Sequence, residues 1–349
     1  MTAVEPARSP VVVRPELSQP VAYTDADFTI AAETVDQLIN ARPENTRRTY
    51  KWVWDQFECW CNDEGRVALP ATAQTLTDYV ARLIGADLSP ATVDNAIGAI
   101  RSEHRRAGHR HTPDTEAALE LLRAYRRDWT DNGNCTHKAK PLLLDALRTI
   151  IDKIPTDTLA GTRDRALLLL GFNMMARRSE LSRLNHSDLS EGDEGLTVHV
   201  RRSKTDQSAM GAEVNVPFGQ HAETCAVRAV AVWRARLSER GLSNGALFRP
   251  IDRHGRIGGE PETAGRAAER LTGKSISDIV HRRAVEAGLR DHYTGHSLRA
   301  GAATSAYAAG VPVSVIAAHG RWAEKSPVVL SYIRAVDKWK NNPMKGIGL

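Results

Sequence analysis

The sequence lacks the features of a secreted or membrane-spanning protein. Only four of its 349 residues are cysteine, namely Cys59, Cys61, Cys135 and Cys225. The Cys-x-Cys spacing of the first pair suits neither a zinc knuckle nor a redox pair. No stretch approaches the run of about eighteen apolar residues that a membrane-spanning helix needs. The N-terminal residues hold no long apolar run either, so we expect no secretory signal, reduced thiols and a cytoplasmic location.

The sequence also lacks the motifs of nucleotide-dependent and metal-dependent phosphoryl transfer. It has no Gly-rich loop of the Walker type and no cluster of acidic residues fit to bind two metal ions. We therefore expect neither a metal site nor any other cofactor. No internal repeat or low-complexity tract interrupts the chain, and its length is sufficient for two domains with hydrophobic cores.

What the sequence does contain is clustered positive charge. The formal net charge is +5, and six arginine pairs are adjacent in the chain: Arg47-Arg48, Arg105-Arg106, Arg126-Arg127, Arg177-Arg178, Arg201-Arg202 and Arg282-Arg283. Any one pair is typical of a solvated helix face. Six pairs in a basic protein favour nucleic acid as the partner, because the planar guanidinium binds phosphate through two parallel hydrogen bonds.

Hydrophobic periodicity and turn signals divide the chain into a short arm and two domains. The predicted boundaries are residues 1–24 for a disordered arm, 25–130 for a first domain, 131–140 for a polar linker and 141–349 for a second domain with a C-terminal tail. The first domain reads as a bundle of four or five helices with one basic surface. One helix start is marked by Ser89-Pro90, a capping residue followed by proline at the first helical position.

The second domain is predicted to be mainly helical with one β-hairpin. Residues 166–175 are nearly all apolar and predict a buried helix. Residues 195–202 and 212–217 are rich in alternating β-branched side chains and predict two strands joined by a polar turn. Residues 264–287 are predicted to be helical with a break near Gly273. The predicted fold class is therefore mainly α, with a small antiparallel β-hairpin or sheet in the second domain.

Residues 293–303, with the sequence Tyr-Thr-Gly-His-Ser-Leu-Arg-Ala-Gly-Ala-Ala, give the clearest chemical signal. His296 and Arg299 lie three residues apart on a predicted helix and therefore share one face. Tyr332 follows in a helical, basic context. A hydroxyl nucleophile, an imidazole and fixed positive charge are what phosphoryl transfer without a metal requires. Tyr307, two helical turns after Arg299 on roughly the same face, is the rival nucleophile.

Together these motifs resemble the tyrosine recombinase (phage-integrase type) family, and the two-domain layout looks most like its Cre-like members. The resemblance runs from about Asp25 onward and is strongest in the second domain. The family's catalytic positions fall on Arg177 (with the supporting Glu180), Lys204 on the hairpin turn, the box His296–Arg299, Trp322 and Tyr332.

Two details of the match leave alternatives open. Tyr332 lies ten residues after Trp322, one more than family members commonly have, and an insertion near Pro327 would account for the difference. His319 is the other candidate for the position of Trp322. Arg178 is the neighbour of Arg177 but points about 100° away around a helix, whereas Arg177 shares a face with Glu180.

The resemblance implies cutting and rejoining of DNA through a 3′-phosphotyrosyl intermediate on Tyr332. Arg177 and Arg299 would stabilise charge on the phosphate, and two guanidiniums near the phenol are expected to favour the phenolate. His296 would accept a proton or donate a hydrogen bond. Further roles are implied for three residues: Lys204 protonates the leaving 5′-oxygen, Trp322 donates its indole N–H, and Glu180 orients Arg177 or His296.

The implied partner is double-stranded DNA with a specific recombination site, bound by a tetramer, for integration, excision or dimer resolution of a mobile element or replicon. The candidate DNA-binding residues are Arg47, Arg48, Arg101, Arg105, Arg106, Arg282 and Arg283. The tail after Tyr332 would dock either on a neighbouring protomer or on its own domain. The alternative functions are a type IB topoisomerase-like relaxing enzyme and a catalytically silent DNA-binding accessory factor.

Overall fold

The chain forms two compact units, Met1–Thr136 and His137–Leu349, whose boundary falls within the predicted linker. The computed structural model describes residues 31, 33–34, 37, 44–109, 111–134, 139–201, 211–265, 268–323, 326–332 and 344. The predicted arm, the position of Lys204 and nearly all of the predicted C-terminal tail lie outside these residues. No helix among the described residues is long and apolar enough to cross a membrane.

Between residues 44 and 131, four helices of the first unit share one core. They are α1 (Glu44–Asp63), α2 (Ala73–Gly85), α3 (Pro90–Arg106) and α4 (Glu116–Asp131). Phe57, Leu76, Ile100 and Leu122 are fully buried, one from each helix. The apolar stripe of each helix therefore faces the other three, as the periodicity predicted.

The start of α3 confirms the capping signal in the sequence. The Ser89 hydroxyl accepts the Thr92 N–H at 3.3 Å, and Pro90 occupies the first helical position. The cap satisfies a backbone donor that has no partner within the helix, and proline has no N–H to lose there.

The second unit is mainly helical around one three-stranded sheet, which confirms the predicted fold class. Its elements are α5 (Leu144–Lys153), α6 (Leu159–Asn173), α7 (Arg178–Arg183), β1 (Leu189–Gly192), β2 (Gly195–Val200), β3 (Ala212–Pro217), α8 (Ala226–Ser238), α9 (Gly273–Glu286), α10 (Gly295–Ala308) and α11 (Val313–Gly320). Short 3-10 turns occupy His186–Asp188, Ala222–Thr224 and Pro261–Thr263. Residues 327–332 are helical.

Helix α6 is the centre of the second unit. Leu167, Leu168 and Leu170 are fully buried, and the helix packs against α8 and α10. A helix that is apolar on all sides must be covered on all sides, so the predicted buried helix is confirmed. It begins at Leu159, because the Thr158 hydroxyl accepts the Gly161 N–H at 3.0 Å and caps the helix there.

The sheet contains the two predicted strands and one that was missed. Its order is β1-β2-β3, both pairs antiparallel, with Val198 of β2 opposite Leu189 and Val214. The missed strand β1 has the sequence Leu-Ser-Glu-Gly and buries only its first residue. It lacks the β-branched side chains that identified β2 and β3.

The predicted helix across residues 264–287 is correct only in its second half. Helix α9 begins at Gly273, where the Thr272 hydroxyl accepts the Ser275 N–H at 3.0 Å. Before it, Gly265 has a φ of +70°, which a right-handed helix does not allow. The Leu271 N–H bonds to the Phe248 carbonyl at 3.0 Å, so the described residues before α9 join the core as extended chain and turns.

Candidate active site

The second unit brings together five of the six predicted catalytic residues. Arg177 precedes α7, His296 and Arg299 lie on α10, Trp322 follows α11, and Tyr332 ends the described helix 327–332. The sixth, Lys204, lies outside the described residues. The contacts described below join these five side chains into one cluster.

The Tyr332 hydroxyl is bonded to the imidazole of His296. The distance between Oη and Nε2 is 2.7 Å. The Tyr332 ring also lies 6.0 Å from the Trp322 ring, centroid to centroid. It packs against a small apolar cluster that includes Ile316 and Val329. Packing therefore holds the phenol beside the imidazole.

The surroundings shift the pKa of both partners in this hydrogen bond. Burial raises the pKa of Tyr332, and the opposing charges of Arg299 and Arg177 do not offset that effect. Although His296 is partly exposed, desolvation of its ring and the charges of Arg299, Arg178 and Arg177 lower its pKa. Both groups are consequently neutral at pH 7, and Nε2 accepts from the phenol in the imidazole tautomer that carries its proton on Nδ1. The two guanidiniums favour the phenolate, as expected, but burial raises the pKa of Tyr332 by more than their charges lower it.

Arg299 is held rigidly in the interior. Its side chain is 2% exposed and donates to the carbonyls of Met175 and Gly320. Its guanidinium carbon lies 3.8 Å from the centroid of the Trp322 ring. Burial, together with the nearby charge of Arg177, lowers the pKa of Arg299 to about 9. The group stays charged at neutral pH, and a phosphate anion would relieve this uncompensated positive potential.

Arg177 is oriented by Glu180, as the spacing of the two residues predicts. Its Nη1 donates to Oε1 of Glu180 at 2.7 Å, and its backbone N–H donates to Oε2 at 2.9 Å. The neighbouring Arg178 instead points toward Ser277, with 3.3 Å between its Nη1 and the serine hydroxyl. Both carboxylate oxygens of Glu180 therefore act on Arg177.

Sequence reasoning missed Arg321, which is the second partner of Glu180. Its Nη2 donates to Oε2 of Glu180 at 2.7 Å. Burial alone would raise the pKa of Glu180, but the charge of Arg321 and the hydrogen bonds from Arg177 outweigh burial and lower it. The only signal in the sequence was the position of Arg321 beside Trp322.

The structure separates Trp322 from its rival, His319. Trp322 contacts both Arg299 and Tyr332. His319 points away, with its Nε2 bonded at 2.7 Å to the carbonyl of Asn173. Trp322, and not His319, therefore borders the cluster.

The rival Tyr307 and the nearby Tyr293 have other surroundings than the Tyr332 hydroxyl. Tyr307 packs beside the apolar cluster that supports Tyr332. Tyr293 is 4% exposed and its hydroxyl lies 3.4 Å from Asp291. Of these three phenols, Tyr332 is the one that the structure places on His296.

Comparison with known proteins decides the family. The profile described as "Phage integrase family" matches residues 140–338, more than half of the chain. The chain belongs to this family. It is 31% identical over 312 residues to an integrase/recombinase xerD homolog of Selenomonas ruminantium, covering 88% of this chain and 86% of that protein. It is 26% identical over 335 residues to the Cre recombinase of Escherichia phage P1, covering 91% and 93%.

The fold agrees with this assignment of the chain as a tyrosine recombinase. A lambda integrase tetramer bound to a Holliday junction superimposes with a TM-score of 0.53 at 13% sequence identity. The match covers 86% of this chain and 75% of the other. At this identity the likeness concerns the fold alone.

The recombinase carries most of its candidate DNA-binding arginines on the first unit. Arg101 and Arg105 are exposed near the end of α3, and Arg106 pairs there with Glu103. On α1, Arg48 is exposed and Arg47 is half-buried.

Arg282 and Arg283 on α9 differ from the expectation. Both donate to the fully buried carboxylate of Asp164, at 2.9 and 2.8 Å. Arg163 donates to the same carboxylate. Arg283 is 8% exposed and also bonds Glu286, so it cannot reach a base without leaving the core. The structure gives Arg283 the role of an internal ion-pair partner instead of the predicted DNA contact.

Proposed function

We propose that this recombinase cuts and rejoins double-stranded DNA at specific sites, with Tyr332 as the nucleophile. The reaction would serve integration, excision or dimer resolution of a mobile element or replicon. The observation that carries the proposal is the 2.7 Å hydrogen bond between the Tyr332 phenol and Nε2 of His296. In the tautomer with its proton on Nδ1, His296 would accept the phenol proton, and the charges of Arg177 and Arg299 act on the phenol.

In the proposed cleavage step, the Tyr332 oxygen attacks the scissile phosphorus while its proton passes to Nε2 of His296. The bond from phosphorus to the 5′-oxygen breaks, and that oxygen takes up a proton and leaves as a 5′-hydroxyl. The product is a 3′-phosphotyrosyl ester. A 5′-hydroxyl of a second strand then attacks the ester, reforms a phosphodiester and returns the proton to Tyr332. The ester conserves the energy of the broken bond, so no nucleotide is consumed.

Positive charge would stabilise the transition state at the nonbridging oxygens. Arg177 and Arg299 are held by fixed partners before any substrate arrives, so they need not reorganise during the reaction. Trp322 would donate its indole N–H to one phosphate oxygen. The resemblance assigns protonation of the leaving 5′-oxygen to Lys204. Neither a metal ion nor another cofactor has a role in this scheme.

Recombination joins two sites and cuts each of them twice, so we propose that four protomers assemble on DNA. The similarity in fold to a lambda integrase tetramer bound to a Holliday junction supports this arrangement. The exposed Arg101 and Arg105 are proposed to contact phosphates, which would make binding strongly dependent on salt. The cytoplasm is the proposed location, since that compartment holds the DNA.

A plasmid assay tests the proposal. Two copies of the site, recovered from the DNA that flanks the gene, are placed in direct repeat on a supercoiled plasmid. We expect wild-type protein with chelator present to release the intervening DNA as a circle, with a steep dependence on protein concentration, and the Tyr332→Phe variant to release none. Relaxation of a site-free plasmid with a linear dependence on concentration would instead indicate a monomeric topoisomerase.

A further inference from the structure

Arg321 precedes Trp322 in the chain and is not among the predicted catalytic residues. Its φ is +57°, a left-handed conformation that costs energy for a side chain other than glycine. Among the described residues of the second unit, Met175 is the other non-glycine residue with positive φ. The carbonyl oxygen of Met175 accepts a hydrogen bond from the Arg299 guanidinium. Both strained residues thus belong to the surroundings of the active site, where such strain commonly accompanies function.

Three separate elements are joined by the Arg321 side chain. Besides the bond to Glu180, its Nη1 donates to the Met174 carbonyl at 3.2 Å and to the His319 carbonyl at 3.0 Å. These partners belong to the turn after α6, to α7 and to α11. The side chain is 8% exposed. Its guanidinium thus bonds to protein groups on all three elements.

Arg321, Glu180 and Arg177 form a chain of ion pairs, called the ion chain below. Both ends of this ion chain contact catalytic side chains or the backbone that carries them. On one side, Glu180 connects Arg321 to Arg177 through bonds of 2.7 Å each. On the other, Arg321 lies between Gly320, whose carbonyl accepts from Arg299, and Trp322, whose ring covers that guanidinium. A displacement of Arg321 would therefore move Arg177 through Glu180. It would also move Arg299 and Trp322 through the backbone.

We infer that Arg321 is a positioning residue for phosphate activation in the proposed reaction. Through Glu180 it fixes the Arg177 guanidinium, and through the backbone it fixes the turn that carries Gly320 and Trp322. Its charge also keeps the Glu180 carboxylate ionised, so that both acceptor oxygens remain available to Arg177. This inference rests on the proposed function, because it concerns how the same site holds its substrate phosphate.

The test compares Arg321→Asn with Arg321→Lys. Asparagine tolerates the left-handed conformation but cannot bridge the three elements, whereas lysine keeps the charge. Adduct formation is measured at saturating DNA on a nicked duplex that carries the site. We expect the Asn variant to be about 10- to 100-fold slower with its affinity for DNA unchanged. The Lys variant should recover much of the rate.

A substrate with a neutral methylphosphonate at the scissile position separates positioning from general damage. It lacks the negative charge that Arg177 would stabilise, so the penalty of Arg321→Asn should largely disappear on it. An equal loss on both substrates, or no loss on the ordinary phosphodiester, would overturn the inference.

A second variant keeps the test decisive if Arg321→Asn does not fold. Glu180→Gln interrupts the same ion chain from its other end and must show the same substrate-selective loss. Equal losses on the two substrates would again overturn the inference. The proposed function is tested separately, by whether the adduct of the wild-type protein is lost in Tyr332→Phe. A failure of the role proposed for Tyr332 can thus be distinguished from a failure of the role proposed for Arg321.

Discussion

The phenol of Tyr332 and the imidazole of His296 are 2.7 Å apart, oxygen to nitrogen, although 36 residues separate them in the chain. The apolar cluster of Met175, Ala303 and Val329 packs on the inner side of Tyr332. The bond lies within one unit of a single chain, so the pairing of nucleophile and proton acceptor requires no contribution from a second protomer.

The first prediction concerns pH. The pKa of His296 is lowered from its usual 6.5 by burial and by three arginines, so the imidazole is neutral at pH 7 and gains a proton only in more acidic solution. Protonation removes the acceptor for the phenol proton. The rate of strand cleavage should therefore fall as pH decreases, with a midpoint below 6.5 in single-turnover measurements. His296→Gln, which cannot titrate, should be slower and should lose this acid limb. A midpoint above 6.5 would contradict the assignment.

The second prediction concerns Gly320. A Cβ at this position would lie 1.8 Å from Cζ3 of the Trp322 ring, so Gly320→Ala must displace the indole from Arg299. We expect cleavage to slow by about 10-fold or more. Gly192→Ala, where a Cβ meets no atom within 4 Å, is the matched control and should cleave normally.

The same substitution should add nothing when the tryptophan is absent. In a double-mutant cycle, Gly320→Ala combined with Trp322→Ala should cleave no more slowly than Trp322→Ala alone, because both changes remove the same contact. Multiplicative losses would mean that Gly320 acts by some other route.

The third prediction separates structural arginines from DNA-binding arginines. Arg283→Met leaves the buried Asp164 carboxylate with one charged partner fewer, which should cost about 3 kcal/mol in the free energy of unfolding by urea. Arg105→Ala changes an exposed side chain and should leave unfolding unaltered. It should weaken DNA binding on all sequences and reduce the salt slope by about one. If the two variants exchanged these effects, our placement of the DNA surface would be mistaken.

The fourth prediction compares two glycines inside helices. At Gly301 on α10, a Cβ would lie 1.8 Å from the backbone carbonyl oxygen of Leu142, whereas at Gly98 on α3 it would meet only the Tyr50 hydroxyl at 3.7 Å. The backbone of Leu142 cannot move aside as easily as the side chain of Tyr50 can. Gly301→Ala should therefore destabilise the protein by about 1–3 kcal/mol. Gly98→Ala should stabilise it by up to about 1 kcal/mol, as alanine does in helices. Urea unfolding of both variants checks the two signs.

Local spacing was sufficient to predict much of the site. His296 and Arg299 share a helix, and Arg177 and Glu180 are three residues apart around a helix start. Side chains at such separations meet whatever the rest of the fold does. The helices of the first unit were predictable for a similar reason, since each has one apolar face and the start of α3 has a recognisable cap.

Three features of the structure could not be predicted from the sequence, because each depends on contacts between segments that are far apart in the chain. The partnership of Arg321 with Glu180 spans 141 residues and requires a left-handed turn at a non-glycine residue, which no local pattern indicates. In the sequence alone, the Arg282-Arg283 pair indicates a basic surface. In the fold, both arginines form ion pairs with Asp164. The pKa of Tyr332 depends on how deeply the phenol packs, and burial decides its direction.

The most direct test of the central claim is to identify the residue that carries the DNA. Wild-type protein is incubated with chelator and a nicked duplex from which the cleaved end diffuses away, and the SDS-resistant adduct is mapped by mass spectrometry. We predict that the DNA is attached to Tyr332, that Tyr332→Phe forms no adduct, and that Tyr307→Phe forms it normally. An adduct that persists in Tyr332→Phe, or that maps to another residue, would contradict the account.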